Sequence, residues 1–332
     1  MRKFLIAASC ALLTLGACAG NSNKSLDDST TQETTENSLP KVYFIKDITP
    51  EALMKAYKAL GVEPSGKVAV KISTGESSES NQLNPELIKD LVKEVKGTLV
   101  ECNTAYPGNR NTTERHLAAI KERGYDKIAE VDIMDSEGSL DIPVQDSTWI
   151  KYNKVGAHLA NYDYLVNLAH FKGHAMGGFG GVLKNQSIGI ASSDGKAYIH
   201  TAGAHDNVNS AFKNPHGQDA FIESMAAAAQ SVHNYFKGNV LYIDVMNNLS
   251  VDCDCDGHPH KPEMKDIGIL ASLDPVALDQ ACLDLVFNYD SKDGDDAKAL
   301  QERINTRHGT HIVDYAEKIG LGSKQYDLIT LE

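Results

Sequence analysis

The sequence predicts an α/β protein with a mostly parallel sheet and helices on both faces. Three observations carry this. Short β-branched or apolar runs alternate with amphipathic stretches along most of the chain. The amphipathic stretches open on capping residues followed by proline, as at Thr49-Pro50-Glu51, Asn84-Pro85-Glu86 and Asp274-Pro275, and the first two close on Gly61 and Gly97. Two further runs, Tyr164 to Leu168 and Val240 to Val245, are almost continuously apolar, as strands covered on both faces require.

Taken in order, Val42 to Lys46 reads as a strand and Thr49 to Gly61 as a capped helix. Lys67 to Ser73 is a strand, and the helix after Asn84 places Leu87, Leu91 and Val95 on one face. Thr98 to Cys102, a helix from Thr113 to Arg123 stopped by Gly124, and a strand from Ala129 to Met134 follow. Strand, helix, strand in this order implies right-handed crossovers and parallel pairing. In the second half, the two apolar strands flank a long stretch in which Gln218 to Tyr235 is helical. Ile267 to Ala271 is another strand, Asp274 caps a helix reaching Phe287, and an acidic loop from Asp290 to Asp296 leads into two last helical stretches.

The N-terminus has a different grammar. Arg2-Lys3 precedes an apolar run from Phe4 to Leu15 that is too short for a spanning helix, and Leu15-Gly16-Ala17-Cys18 fits a lipobox. Residues 1–17 read as a signal peptide and Cys18 as the lipidated residue. Residues 18–40, rich in Ser, Thr, Asn and acids, read as a disordered tether that cannot offset its ordering entropy by burial. Residues 41–332 read as a single α/β domain. The expected location is the bacterial cell envelope outside the cytoplasm, held to the membrane through lipid on Cys18. With 32 basic against 45 acidic residues and a net charge of −13, nucleic acid is excluded as a partner.

In parallel sheets ligands bind beyond the carboxyl ends of strands. Three unusual segments follow predicted strands: Cys102 to Asn111, His170 to Asn185, and Asp252 to Glu263. The last packs Cys253, Cys255, His258 and His260 among Asp252, Asp254 and Asp256. Thiolates and imidazoles suit a soft or borderline metal ion, and thiolates an iron–sulfur cluster. A tight disulfide between Cys253 and Cys255, or an acidic turn with unused thiols, fits the same residues. The segment also formally matches a calcium loop through Asp252, Asp254, Asp256, Gly257 and Glu263, but a strand precedes it and Pro259 and Pro262 obstruct it.

His170 and His174 lie four apart, but Gly173 favours a strand-to-loop geometry. Downstream, Gly178 and Gly180 in a glycine-rich turn lead to Lys184-Asn185, an arrangement that can offer backbone N–H groups to an anionic small molecule. Cys282 shares a helical face with Leu278 and Leu285 and reads as a core thiol; Cys102 could be either core or site. His200, His205 and His216 fall in what reads as a polar loop, where they could lend ligands or be solvated.

From about Val42 onward the chain resembles the family catalogued as domain of unknown function 362. The residues that carry the resemblance are Asn103-Thr104-Ala105-Tyr106 with Gly108-Asn109-Arg110, Asn167 to His174 with Lys184-Asn185, and Cys253-Asp254-Cys255 leading to Asp266 to Ser272 and Asp274-Pro275-Val276-Ala277. The resemblance implies that Lys172, His174, Lys184, Asn185, Cys253 and Cys255 occupy characteristic positions. Some members carry ferredoxin-type cysteine clusters and are called iron–sulfur proteins; this chain lacks those clusters. Two functions follow as expectations. One is redox or metal-dependent catalysis at a centre held by Cys253 and Cys255 with His258 or His174 as a further ligand, and with Lys172 and His174 as catalytic groups. The other is capture of an anionic ligand by Gly178, Gly180, Lys184 and Asn185.

Overall fold

Successive side chains of a strand leave opposite faces of the sheet, and here both sets are apolar. In the strand Val240–Met246, Val240, Tyr242 and Met246 enter one core while Leu241, Ile243 and Val245 enter another. Both faces must therefore be covered, and helices cover them. A computed structural model describes residues 38–291 and 296–332. The signal peptide, Cys18 and nearly all of the tether lie outside these residues, as do 292–295 of the acidic loop.

The elements run β1 (Lys41–Ile45), α1 (Pro50–Ala59), β2 (Val68–Lys71), α2 (Pro85–Glu94), β3 (Thr98–Glu101), α3 (Thr113–Arg123), β4 (Val131–Ile133) and a hairpin, β5 (Ser139–Pro143) and β6 (Tyr152–Gly156). Then come β7 (Tyr164–His170), a small hairpin of β8 (Lys172–His174) and β9 (Gly178–Gly180), α4 (Val182–Ser187), α5 (Ser193–His200) and α6 (Gln218–Tyr235). The chain ends with β10 (Val240–Met246), β11 (Gly268–Ser272), α7 (Pro275–Phe287), α8 (Lys298–Thr306), α9 (His311–Lys318) and β12 (Asp327–Thr330).

The main sheet has the order β12-β1-β11-β10-β7-β2-β3-β4. Only β11 runs antiparallel to both its neighbours; the other pairs are parallel. The mostly parallel α/β prediction is borne out. On one face Leu53 and Ala56 of α1 and Ile88 and Leu91 of α2 pack with Val70, Leu99 and Ile243. On the other, Leu183, Phe221 and Leu278 from α4, α6 and α7 pack with Ala69, Val100 and Tyr242. Each fully buried Leu, Ile, Val or Phe among them contributes about 1.5–3 kcal/mol. The caps form as read: Thr49 Oγ1 accepts from the Ala52 N–H (3.1 Å), Asn84 from Glu86 (2.9 Å), and Asp274 from Val276 and Ala277.

Two local readings are corrected. The buried stripe of α2 is Ile88, Leu91 and Val92, with Leu87 only half-buried, because the sheet meets the helix one position further round. His200 is in no polar loop: it is the last residue of α5, whose start is capped by Ser192 accepting from the Gly195 N–H at 3.2 Å.

Candidate functional site

β10, β7, β2 and β3 are adjacent and parallel, so their carboxyl ends emerge along one edge of the sheet. The segments that follow them line one cavity of about 510 Å³. Lys71 and Glu76 come from the end of β2, Glu101 to Arg110 from β3, Lys172 to Asn185 from beyond β7, and Asp252 to Gly257 from beyond β10. The three segments singled out in the sequence thus converge.

Cys253 and Cys255 meet His174 on the wall of this cavity. Their ligand atoms all lie within 4.8 Å of one another, a grouping that could hold a metal ion. Neither cysteine is in a disulfide. The Cys255 N–H donates to Cys253 Sγ (3.3 Å), and Cys255 Sγ stands 3.8 Å from His174 Nε2. A glycine makes this approach possible. Gly173 donates its N–H to the Ser250 carbonyl at 2.8 Å, and a Cβ on it would fall 2.1 Å from the Val251 carbonyl oxygen.

The residue between the cysteines fixes their loop. The buried Asp254 carboxylate pairs with His170 Nδ1 and Lys172 Nζ, each at 2.9 Å, and His170 Nε2 points at the Asn247 carbonyl. Burial would push the Asp254 carboxyl up, but His170 and Lys172 outweigh it and hold the group far below the carboxylate range. Lys172, expected as a catalytic group, has its ammonium engaged in holding this loop. Arg303 and His260 likewise engage Asp252, so neither carboxylate is arranged for calcium.

The electrostatics of the sulfur pair are asymmetric. A hydrogen bond from Cys255, with His174 and Lys184 nearby, draws the Cys253 thiol well below its ordinary value against its burial. Cys255, which shares that bond and is also buried, is pushed up. The two thiols therefore differ in acidity, Cys253 being the more acidic. Burial and Lys184 push His174 down, so its ring is neutral. The Gly177 and Met176 N–H groups donate to its Nδ1 at 2.8 and 3.2 Å, which places the ring proton on Nε2, facing sulfur. Metal-bound imidazoles ordinarily donate from the nitrogen that does not bind. By that test the two sulfurs fit a soft or borderline ion, while His174 in this orientation is a proton donor to sulfur.

The other expected ligands fall as follows. His258 is exposed and its Nδ1 pairs with Glu79 (2.8 Å), so it stands outside the group, and the imidazole that faces the sulfurs is that of His174. The local signal favoured His258 because sequence distance concealed the β8 hairpin. The loop after β10 brings two thiols into this group, too few by themselves to hold an iron–sulfur cluster. Cys102 donates to the Ile190 carbonyl at 3.3 Å, and Cys282 is in the core, 3.9 Å from Asp244.

The glycine-rich turn is built for packing. Gly178 has φ +83°, and a Cβ there would stand 2.7 Å from Gly309 Cα; Gly180 leaves room for Lys172. The first N–H groups of α4, where an anion was expected, are already taken by Asp279, which accepts from Val182 (2.8 Å) and Leu183 (3.0 Å). Asn185 is also engaged, donating to the Lys71 carbonyl and Asn167 Oδ1. Of that set, Lys184 alone brings an uncommitted charge to the cavity.

Sequence reading missed a buried cluster at the cavity floor. Glu101 accepts from Lys71 Nζ (2.8 Å), the Thr74 N–H (2.9 Å) and Arg110 (3.4 Å). Burial is outweighed by Lys71 and Arg110, and its carboxyl is held at about 2. The available signal was charge inside strands: Lys71 and Glu101 end otherwise apolar β2 and β3.

The family described as "Domain of unknown function (DUF362)" matches residues 68–284. No curated protein matches the chain. Among solved structures, the lactate racemase apoprotein from Thermoanaerobacterium thermosaccharolyticum is similar at 18% identity and a TM-score of 0.36, over 61% of this chain and 50% of that one. The chain thus spans about half the length of that structure.

Proposed function

The chain belongs to the DUF362 family, and from that premise we propose that the cavity is a reaction site in which Cys253 and Cys255 hold a single soft or borderline metal ion for redox or metal-dependent chemistry on a small molecule. The observation that carries this is the convergence of two unbonded sulfurs and the His174 imidazole within 4.8 Å at the cavity wall. Lys172 and His170 act through Asp254, as positioning residues for the sulfur loop. The exported, Cys18-anchored location is part of the same proposal and rests on the Leu15-Gly16-Ala17-Cys18 box. In an oxidising compartment two neighbouring thiols stay reduced only if buried or bonded to a ligand.

Elemental analysis of anaerobically purified protein tests the reading. Cys253→Ser and Cys255→Ser should each lose most of the metal, Cys282→Ser should keep it, and His174→Gln should lose less than either site cysteine. Full metal content in both site variants would overturn the assignment. A second reading is favoured by the protonated Nε2 of His174: a metal-free dithiol that is oxidised to a disulfide as an external thiol–disulfide partner accepts its two electrons and two protons. In that case no metal is found, and thiol titration of the oxidised, unfolded chain shows Cys253 and Cys255 blocked until reductant is added.

A further inference from the structure

Five basic side chains line the cavity, and three have counterions. Lys71 pairs with Glu101 (2.8 Å), Arg110 with Glu76 (3.2 Å) and Lys172 with Asp254 (2.9 Å). Lys184 and Lys196 have no carboxylate within ion-pairing distance among the described residues; Lys184 stands instead near the Cys253 thiol, whose value it lowers. Lys196 is only 7% exposed, and its Nζ donates to a single neutral acceptor, the Ala191 carbonyl, at 2.6 Å. A buried ammonium with no counterion is costly, and a second one nearby adds repulsion.

His200 lines the same cavity and feels both charges. It too is 7% exposed, stacked on Phe221 at 4.8 Å between ring centroids. Its Nδ1 donates to the Lys196 carbonyl at 2.7 Å, so the neutral ring presents Nε2 as a lone pair with no protein partner. Burial pushes this imidazole down to about 3, with Lys184 and Lys196 adding to the effect. The cavity wall therefore offers two cations and one acceptor.

We propose that Lys184, Lys196 and His200 form an oxyanion subsite for a phosphate-type group, which supplies charge to the two ammonium groups and an O–H to the lone pair of His200. This rests on the reading of the cavity as the functional site, though not on the sulfur pair holding metal. A fully deprotonated oxyanion would set lone pair against lone pair at Nε2. The cavity, at about 510 Å³, leaves room beyond a phosphate for an organic remainder against Met176, Ile188 and Phe212.

The test titrates the full chain with inorganic phosphate, and with sulfate at equal ionic strength as the proton-free control, by calorimetry and thermal unfolding. Phosphate should give a saturable rise in Tm that sulfate does not match. Lys184→Met and Lys196→Gln should each weaken phosphate binding about tenfold, the usual effect of losing one charge-assisted hydrogen bond. Unfolding midpoints without ligand establish that both variants are folded, and Lys196→Gln retains a donor for Ala191. Equal responses to the two ions overturn the role of His200. No phosphate response, or one undiminished in both lysine variants, overturns the subsite. Repeating the titration after chelation separates the two proposals, because phosphate binding is read with and without metal.

Discussion

Asp254 joins the chemistry of the site to its stability. Asn in its place would leave Lys172 buried without a counterion and remove the carboxylate that His170 Nδ1 meets, a loss of about 3–5 kcal/mol for a broken buried pair. Since the folded carboxyl is held below its unfolded value, its contribution is complete above the ordinary carboxylate pKa and is lost as pH falls toward the depressed folded value. Urea unfolding of wild type and Asp254→Asn should therefore differ by a constant amount from about pH 5 to 8 and converge in stronger acid. A difference that instead grew in acid would mean that Asp254 is not the anion of this cluster. At this scale the sequence was informative where chemistry is dense: Cys253 and Cys255 stood out as unusual, and His174 and Lys184 lay in a segment correctly placed after β7. Lys196 and His200 did not stand out, because Ser193-Asp194-Gly195 looks like a loop opening and only Ser192 as a cap shows it to be a helix start.

Among the elements, α4 depends most on a distant residue. It is six residues long and carries Lys184 and Asn185, and its first N–H groups are held by Asp279 of α7. Burial pushes the Asp279 carboxyl up to about 7, against the two N–H bonds that favour its charge. A carboxyl raised on folding contributes stability below its unfolded pKa and loses it as pH rises through the folded value. Asp279→Asn, which cannot ionise, should thus compare more favourably with wild type at pH 8 than at pH 5 in urea midpoints. The same variant accepts with one oxygen where Asp279 uses two, so phosphate affinity through Lys184 should fall. If the wild-type and variant midpoints run parallel across that range, Asp279 does not titrate there. Legibility at this scale followed length and end signals: α6 was bounded correctly over its eighteen residues, and α3 by the Gly124 that stops it. The three-residue strands β8 and β9, Lys-Gly-His and Gly-Phe-Gly, have no period to detect, although they deliver His174 to the sulfurs.

At the level of the whole molecule, the ends of the described chain are tied together at one side of the sheet. β1 lies between β11 and β12, with Lys41 opposite Asp327 and Val42 opposite both Leu328 and Ser272. The Asp327 N–H donates to the Pro40 carbonyl at 2.9 Å, so backbone pairing begins at the last residue before β1. Alternating strand and helix made the parallel sheet legible, but strand order was not, since pairing between Lys41 and Asp327 leaves no local trace. Residues from Leu39 to Glu332 form one compact unit. Limited proteolysis should then trim the chain to just before Lys41 and leave a fragment with unchanged Tm and metal content. A truncation beginning at Asp47 should behave differently. It removes the strand that joins β12 to the sheet, together with the buried Val42 and Ile45, each worth about 1.5–3 kcal/mol of burial. Cleavage into two stable halves between residues 140 and 160 would instead mean two domains. That outcome would require the paired strands β5 and β6, with Leu140 opposite Val155 and Ile142 opposite Asn153, to separate before the main sheet does.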